Sequence, residues 1–335
     1  MTGKNVFHIG PGFIGSEILH LLTTEGYKVT TLVRSESSAK ILSERFGSNL
    51  STVHGTLSDT DIITKHAAEA DIVIHTATAD DVPSVKAVLA GIKQRVSSSQ
   101  TAPIYIHTSG ASVLADDSGS EYASDKIYDD TDPASINALP DTAPHREIDL
   151  AILRARKELG DKGSKLLIVM PPIIDGVGSH GGGRLSIQVP TLVRFALKNG
   201  YAGYAGKGLA RWPYVHVRDL ARAYMTILHY AEGDSDKDLA ENPYFFVESG
   251  EEVAWKDISE MIGKELHRQG KIGSPGAKTV PEDKYADLFG DHTLPVVGTN
   301  SRNKAVRLRK LGWEPKERKM ADEIEQEVIP AVLKE

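Results

Sequence analysis

Three glycines, Gly10, Gly12 and Gly15, stand in the pattern G-x-G-x-x-G close to the start of the chain. The apolar run Val6-Phe7-His8-Ile9 precedes them, and apolar residues at Ile14, Ile18, Leu21 and Leu22 follow at helical spacing. Alone, such a glycine pattern is weak evidence. Set between a strand and a helix, it specifies a turn that binds a pyrophosphate. Gly10 permits the tight turn, Gly12 lets the backbone come close, and Gly15 lets the helix pack on the strand. The free N–H groups at the helix start, at Phe13 and Ile14, then face the phosphates.

The end of the second strand, Lys28 to Val33, selects the dinucleotide. An Asp or Glu there would hold the ribose of NAD. This chain has Arg34-Ser35 instead, at roughly the expected 20 residues past the glycine turn. A guanidinium pairs with a 2′-phosphate as a charge-assisted fork, and Ser35 and Lys40 are placed to assist. NADP(H) is the expected cofactor, with NAD(H) less favoured.

These residues need elements to hold them. Strand-type runs at 6–9, 28–33, 52–55, 71–76, 104–108 and 165–170 alternate with helical stretches at 13–24, 38–46, 61–70, 83–96 and 144–159. Strict alternation with continuously apolar strands implies an α/β fold, a Rossmann doubly wound parallel sheet. Beyond Pro172 the regularity fades. The expected division is residues 1–175 for the nucleotide and 176–335 as a smaller C-terminal α/β substrate portion. Residues around 214–235 are expected to return to the first unit. Glycines crowd Asp175 to Gly183, and that segment, with His180, reads as a connector rather than a closing loop. The acidic, Ser-rich stretch from Asp116 to Pro133 is aperiodic.

Composition removes several classes of function. The 335 residues carry a formal net charge of -7, which argues against a nucleic-acid partner. There is no cysteine, so thiolate nucleophiles and disulfides are excluded. The twelve histidines show no helical ligand spacing, and no metal is expected. No apolar run reads as a secretory signal or a membrane span, so the expectation is a cytoplasmic protein with a small-molecule substrate and no membrane partner.

Several segments resemble the extended short-chain dehydrogenase/reductase superfamily in its NAD-dependent epimerase/dehydratase branch. They are Gly12-Phe13-Ile14-Gly15, Ile74-His75-Thr76-Ala77, Ile106-His107-Thr108-Ser109-Gly110, Val169 to Gly176, Tyr214 to Ala221, and Leu311-Gly312-Trp313-Glu314-Pro315. The resemblance covers nearly the whole chain. It departs at Ile9, where the branch usually has its first glycine. It implies that Leu57, Thr76, Ala77, Thr78 and Thr108 line the cofactor, with Pro171, Pro172, Ile173 and Ile174 over the nicotinamide. It also implies a substrate pocket drawn from Ser112, Arg184, Ser186, Gln188 and Trp212. Helices Pro83 to Val96 and Pro144 to Leu159 are then the candidates for pairing two copies in a homodimer.

The family's Tyr-x-x-x-Lys pair, in which Tyr exchanges the substrate proton and Lys lowers its pKa, has one match: Tyr122 with Lys126. Its acidic setting has no helical period. The helix before the sixth strand has its apolar face at Ile148, Ile152, Ala155 and Leu159, with Asp141 or Thr142 to cap it and Pro144 in its first turn. The family positions on that helix are His145 and Asp149, four residues apart and so on one face. A His145–Asp149 pair can replace Tyr–Lys, with Asp149 fixing the imidazole tautomer. Gly110 falls where the family often carries a hydroxyl, which leaves Thr108, Ser109 or Ser112 as substitutes. Periodicity favours His145 over Tyr122. The resulting expectation is an NADP(H)-dependent oxidoreductase acting on a carbonyl or alcohol of a small organic molecule. Its rivals are an epimerase or dehydratase that returns the cofactor unchanged, and a non-catalytic NADP-binding regulator resembling NmrA-like proteins.

Overall fold

A computed structural model describes residues 3–98, 103–180, 183–233 and 236–335. Gly181 and Gly182 of the glycine-rich segment lie outside the described residues. The strands that matter here are β1 (Asn5–Ile9), β2 (Lys28–Val33), β3 (Leu50–His54), β4 (Ile72–His75), β5 (Ile104–Thr108), β6 (Leu166–Met170), β7 (Ile173–Asp175), β8 (Arg211–His216), β9 (Tyr244–Phe246) and β10 (Glu252–Ala254). The helices are α1 (Phe13–Thr24), α2 (Glu36–Phe46), α3 (Thr60–Glu69), α4 (Val82–Ser98), α5 (Arg146–Leu159), α6 (Gln188–Asn199), α7 (Val217–Glu232) and α8 (Trp255–Arg268).

Seven strands form one sheet in the order β9-β6-β5-β4-β1-β2-β3, and every neighbouring pair is parallel. Every residue of β5 and β6 is buried, as strands covered on both faces must be. The order reverses between β1 and β4, which opens a crevice at the carboxyl ends of these two strands. The Thr76 N–H donates to the Ile9 carbonyl at 2.8 Å and ties the two strand ends together there. A second sheet runs β10-β8-β7.

Strand and helix bounds follow the sequence reading within a residue or two in the first half. Three differences have physical causes. The sheet is not complete at Met170, because Tyr244-Phe245-Phe246 adds its last strand beside β6. Helix α2 starts at Glu36, because the Ser35 hydroxyl accepts from the Ser38 N–H and caps it. Helix α5 starts at Arg146, so neither Asp141, Thr142 nor Pro144 serves it. Its N-cap is His145, in a left-handed conformation with φ 64°.

Candidate active site

The glycine turn is built against its neighbours. Gly10 has φ +99°, and a Cβ there would lie 2.4 Å from the Ala77 nitrogen. A Cβ on Gly15 would lie 2.1 Å from the Gly10 carbonyl and 2.7 Å from the His8 ring. Gly12 is not so confined, and its face is open to a ligand. No side chain caps α1 and its first turn carries no acid, so the N–H groups at Phe13 and Ile14 are presented outward. Beneath the turn His8 bridges two strands, with Nδ1 3.0 Å from the Thr31 hydroxyl and Nε2 3.1 Å from the Thr76 hydroxyl. Burial pushes the His8 pKa down to about 3, so the ring is neutral. The Thr76 hydroxyl donates to the Gly10 carbonyl at 2.8 Å and fastens the turn from the β4 side.

A cleft of about 450 Å³ opens above this turn. Gly10, Gly12, Leu57, Thr76 and Ala77 line it, whereas Thr78, Thr108 and the residues from Pro171 to Ile174 do not. Arg34 lines it too. The two helpers expected beside Arg34 do not. Lys40 is exposed and 3.9 Å from Glu44 along the same helix, and the Ser35 side chain is engaged as the α2 cap. The face of α2 that meets the cleft is Ser38, Ile41, Leu42 and Arg45. Arg45 is thus a second guanidinium of the cleft. Its signal was present as helical spacing from Ser38, two turns along. Arg184, expected on the substrate side, also lines the cleft, with its guanidinium nearest Gly12. Among the described residues the side chains of Arg34 and Arg184 have no ionic or hydrogen-bonding partner. The cleft therefore presents uncompensated positive charge, which suits a phosphorylated ligand.

At the end of β5 the chain passes Gly110 and enters a short turn, Ala111–Leu114. A Cβ on Gly110 would lie 3.1 Å from His145 Nε2 and Cδ2 and 3.4 Å from the Ser112 hydroxyl. The imidazole thus fills the space that a side chain at position 110 would take. The His145 Nδ1 lies 2.7 Å from an Asp80 carboxylate oxygen. Asp80 comes from the turn after β4, where its N–H donates to the Thr78 hydroxyl at 3.2 Å. Sequence reasoning missed Asp80, because 65 residues separate it from His145.

The expected partnership of His145 with Asp149 does not form. His145 stops short of the helix, and Asp149 turns into the core, where it is fully buried. Its oxygens make no hydrogen bond of good geometry. Burial raises its pKa to about 7, against the partial pull of the nearby Ser109 hydroxyl and Arg146. The Ser109 hydroxyl is likewise buried without a well-formed bond. Thr108 is occupied, donating to the His75 carbonyl at 2.9 Å and meeting the Tyr224 hydroxyl. Tyr122 and Lys126 are not on a helix. Tyr122 is half exposed and its carbonyl accepts from Asn300, while the Lys126 ammonium lies over the Tyr128 ring. Spacing alone suggested that pair, and the irregular loop does not put the two side chains on one face.

The remaining substrate expectations divide. Ser112 stays beside His145. Trp212 is a core residue, packed edge-on to Trp255 with its indole N–H donating to the Thr299 carbonyl. Ser186 is buried and Gln188 opens α6, and the extended pairing here is a single bridge between Val177 and Leu185. His216, Glu323 and Glu327 come together at distances a metal would need. Yet His216 Nδ1 accepts from the Arg218 N–H at 3.1 Å, so the neutral ring carries its proton on Nε2, facing Glu323. That nitrogen has no lone pair to give, and the donor set does not fit a metal ion.

A doubly wound parallel sheet, a glycine turn at its switch point and an arginine-lined cleft together define a Rossmann-type dinucleotide-binding protein. The chain belongs to the NAD dependent epimerase/dehydratase family, whose model matches residues 10–239. It is 29% identical to the oxidase ucsJ of Acremonium sp over 336 residues, covering 93% of each chain. Among solved structures it is similar to yeast methylglyoxal/isovaleraldehyde reductase Gre2 complexed with NADPH, at 20% identity, 98% coverage of each chain and a TM-score of 0.61. It is also similar to UDP-glucose-4-epimerase from Stenotrophomonas maltophila with bound NAD, at 16% identity, covering 99% of this chain and 98% of that one, with a TM-score of 0.65. No helix among the described residues is long and apolar enough to cross a membrane.

Proposed function

We propose that the protein is an NADP(H)-dependent oxidoreductase that reduces a carbonyl, or oxidises the matching alcohol, in a small organic molecule. The observation that carries the cofactor choice is the arginine pair Arg34 and Arg45 on one wall of the cleft, with no carboxylate lining it. Two guanidiniums at the β2 end and on α2 suit a 2′-phosphate, and they offer no acceptor for the hydroxyl protons of a bare ribose. The glycine turn and the α1 amides suit the pyrophosphate.

When bound, the nicotinamide supplies or accepts the hydride at the substrate carbon. The chain's own part is the proton. His145 in its charged form holds one N–H toward Asp80 and the other, on Nε2, toward the space by Gly110 and Ser112. As the carbonyl carbon gains hydride, its oxygen takes the Nε2 proton, and His145 is left neutral with Nδ1–H still donated to Asp80. Asp80 stabilises the imidazolium and fixes its orientation. Ser112 is placed to hydrogen-bond the same oxygen. The reading is supported by the NADPH complex of the similar yeast reductase and by the oxidase among the relatives.

The test is to mix purified protein with NADPH and a panel of small aldehydes and ketones and follow the reduced-nicotinamide absorbance. Loss of absorbance with formation of the alcohol supports the proposal. Product formed with no net cofactor change would move the protein to the epimerases. Cofactor binding with no turnover across the panel would remove the catalytic reading.

A further inference from the structure

After β7 the chain turns back across the β1–α1 turn before it enters α6. Val177 pairs antiparallel with Leu185, and the Gly178 N–H donates to the Arg184 carbonyl at 2.9 Å. Gly178 is seated on Phe13, since a Cβ there would lie 3.3 Å from the Phe13 ring. His180 is held more firmly. Its N–H donates to one Glu17 oxygen at 2.7 Å, its Nδ1 lies 2.9 Å from the other, and its ring stacks on His20 at 3.7 Å. Arg45 donates to the His180 carbonyl, and Arg218 donates to the Ser179 hydroxyl. A segment that reads as a loose connector is therefore fastened to α1, α2 and α7.

The fastening has one consequence for the cleft. It leaves the Arg184 guanidinium over the glycine turn, with Nη1 3.5 Å from the place a Gly12 Cβ would occupy. The group has no partner there. Glu17 sharpens the point. Its carboxylate is buried one turn into α1, where a negative charge opposes an anion at the helix start. His180 meets both of its oxygens, one with its backbone N–H and the other with its ring Nδ1, and this contact engages the carboxylate and keeps the segment in place.

We propose that Arg184, from beyond the glycine turn's own βα unit, is a ligand of the cofactor's pyrophosphate, and that the Glu17–His180 pair is the positioning device that holds it there. The inference rests on the dinucleotide reading of the cleft and adds to it. The ligand class is the diphosphate of a dinucleotide. The turn's amides hold it from one side and Arg184 from the other. The 2′-phosphate is left to Arg34 and Arg45.

Two fragments separate these roles in the full chain: ADP, which has the diphosphate and no 2′-phosphate, and adenosine 2′-monophosphate, which has the reverse. Calorimetry is expected to show Arg184→Ala weakening ADP by about tenfold or more while leaving adenosine 2′-monophosphate within roughly twofold, the loss of one charge-assisted fork. Arg34→Ala is expected to show the opposite split. Arg184→Lys, which keeps the charge and loses the fork, should fall between wild type and Ala for ADP. His180→Ala should weaken ADP in the same direction, and adding Arg184→Ala to it should cost less than Arg184→Ala costs alone. Equal ADP affinity in wild type and Arg184→Ala would overturn the proposal, as would an equal loss for both fragments. If wild type binds neither fragment, the dinucleotide reading itself fails first.

Discussion

The imidazole Nδ1 of His145 and a carboxylate oxygen of Asp80 lie 2.7 Å apart, with the two residues contributed by different βα units. Asp80 follows β4 and His145 precedes α5. The contact orients the imidazole with its other nitrogen, Nε2, beside Gly110.

Removing the orienting charge should slow the chemistry and spare binding. For Asp80→Asn the expected result is kcat lower by about 100-fold with KM little changed, the scale on which general acid–base catalysis contributes. Asp80 is largely exposed, so the melting temperature should hold. Steady-state kinetics with the best substrate of the panel checks this, and an unchanged kcat would detach Asp80 from the mechanism.

His145 holds φ 64°, which Asn adopts more readily than most residues. His145→Asn is therefore expected to fold as the wild type does. Its turnover should fall by roughly 100- to 10,000-fold, because no group then exchanges the proton. Tyr122→Phe should leave turnover unchanged, since Tyr122 stands in the exposed loop held by Asn300. If the two variants behaved the other way round, the proton donor would be Tyr122.

Arg45 and Arg34 should set cofactor preference together. Arg34→Ala is expected to weaken NADPH by about 10- to 100-fold, the size of a hydrogen bond to a charged group, and to leave NADH nearly unaffected, while Arg45→Ala, which also frees the His180 carbonyl, should weaken both but NADPH more. Fluorescence titration with both nucleotides distinguishes this from a general loss of fold, which would lower both affinities alike. Lys40→Ala should change neither, because Lys40 faces Glu44.

Asp149 gives a pH prediction with a definite sign. Burial lifts its pKa from 3.8 to about 7 in the folded protein. Below pH 3.8 both folded and unfolded chains hold this proton, and the residue costs nothing. Between pH 3.8 and 7 the unfolded chain releases it while the folded chain keeps it, so stability falls as pH rises through this window. Asp149→Asn cannot ionise and should lose this component. The urea midpoint should therefore fall less between pH 4 and pH 7 in the variant than in the wild type. An identical pH dependence in the two proteins would show that Asp149 is not buried as described.

The sequence is most legible where periodicity and local chemistry agree. Helix Phe13–Thr24 and strand Ile104–Thr108 are bounded by a glycine turn and by apolar runs, and their bounds are read without error. The strand Tyr244–Phe246 is three residues long, too short for a pattern, and only the edge of β6 gives it a place. Lys40 and Arg45 show how a charge nearer in sequence draws attention from one that helical geometry turns to the site. Asp80 and His180 are beyond such reasoning altogether. Their partners lie 65 and 163 residues away, and the glycines around His180 mark its segment without pointing to Glu17.

The claim on which the rest depends is that the arginine-lined cleft binds NADP(H) and prefers it to NAD(H). Isothermal calorimetry of the unmodified protein with NADPH and with NADH measures this directly. NADPH should bind at least about tenfold more tightly, the minimum for one well-placed guanidinium on the 2′-phosphate. NADH binding as tightly as NADPH, or no heat with either, would contradict it.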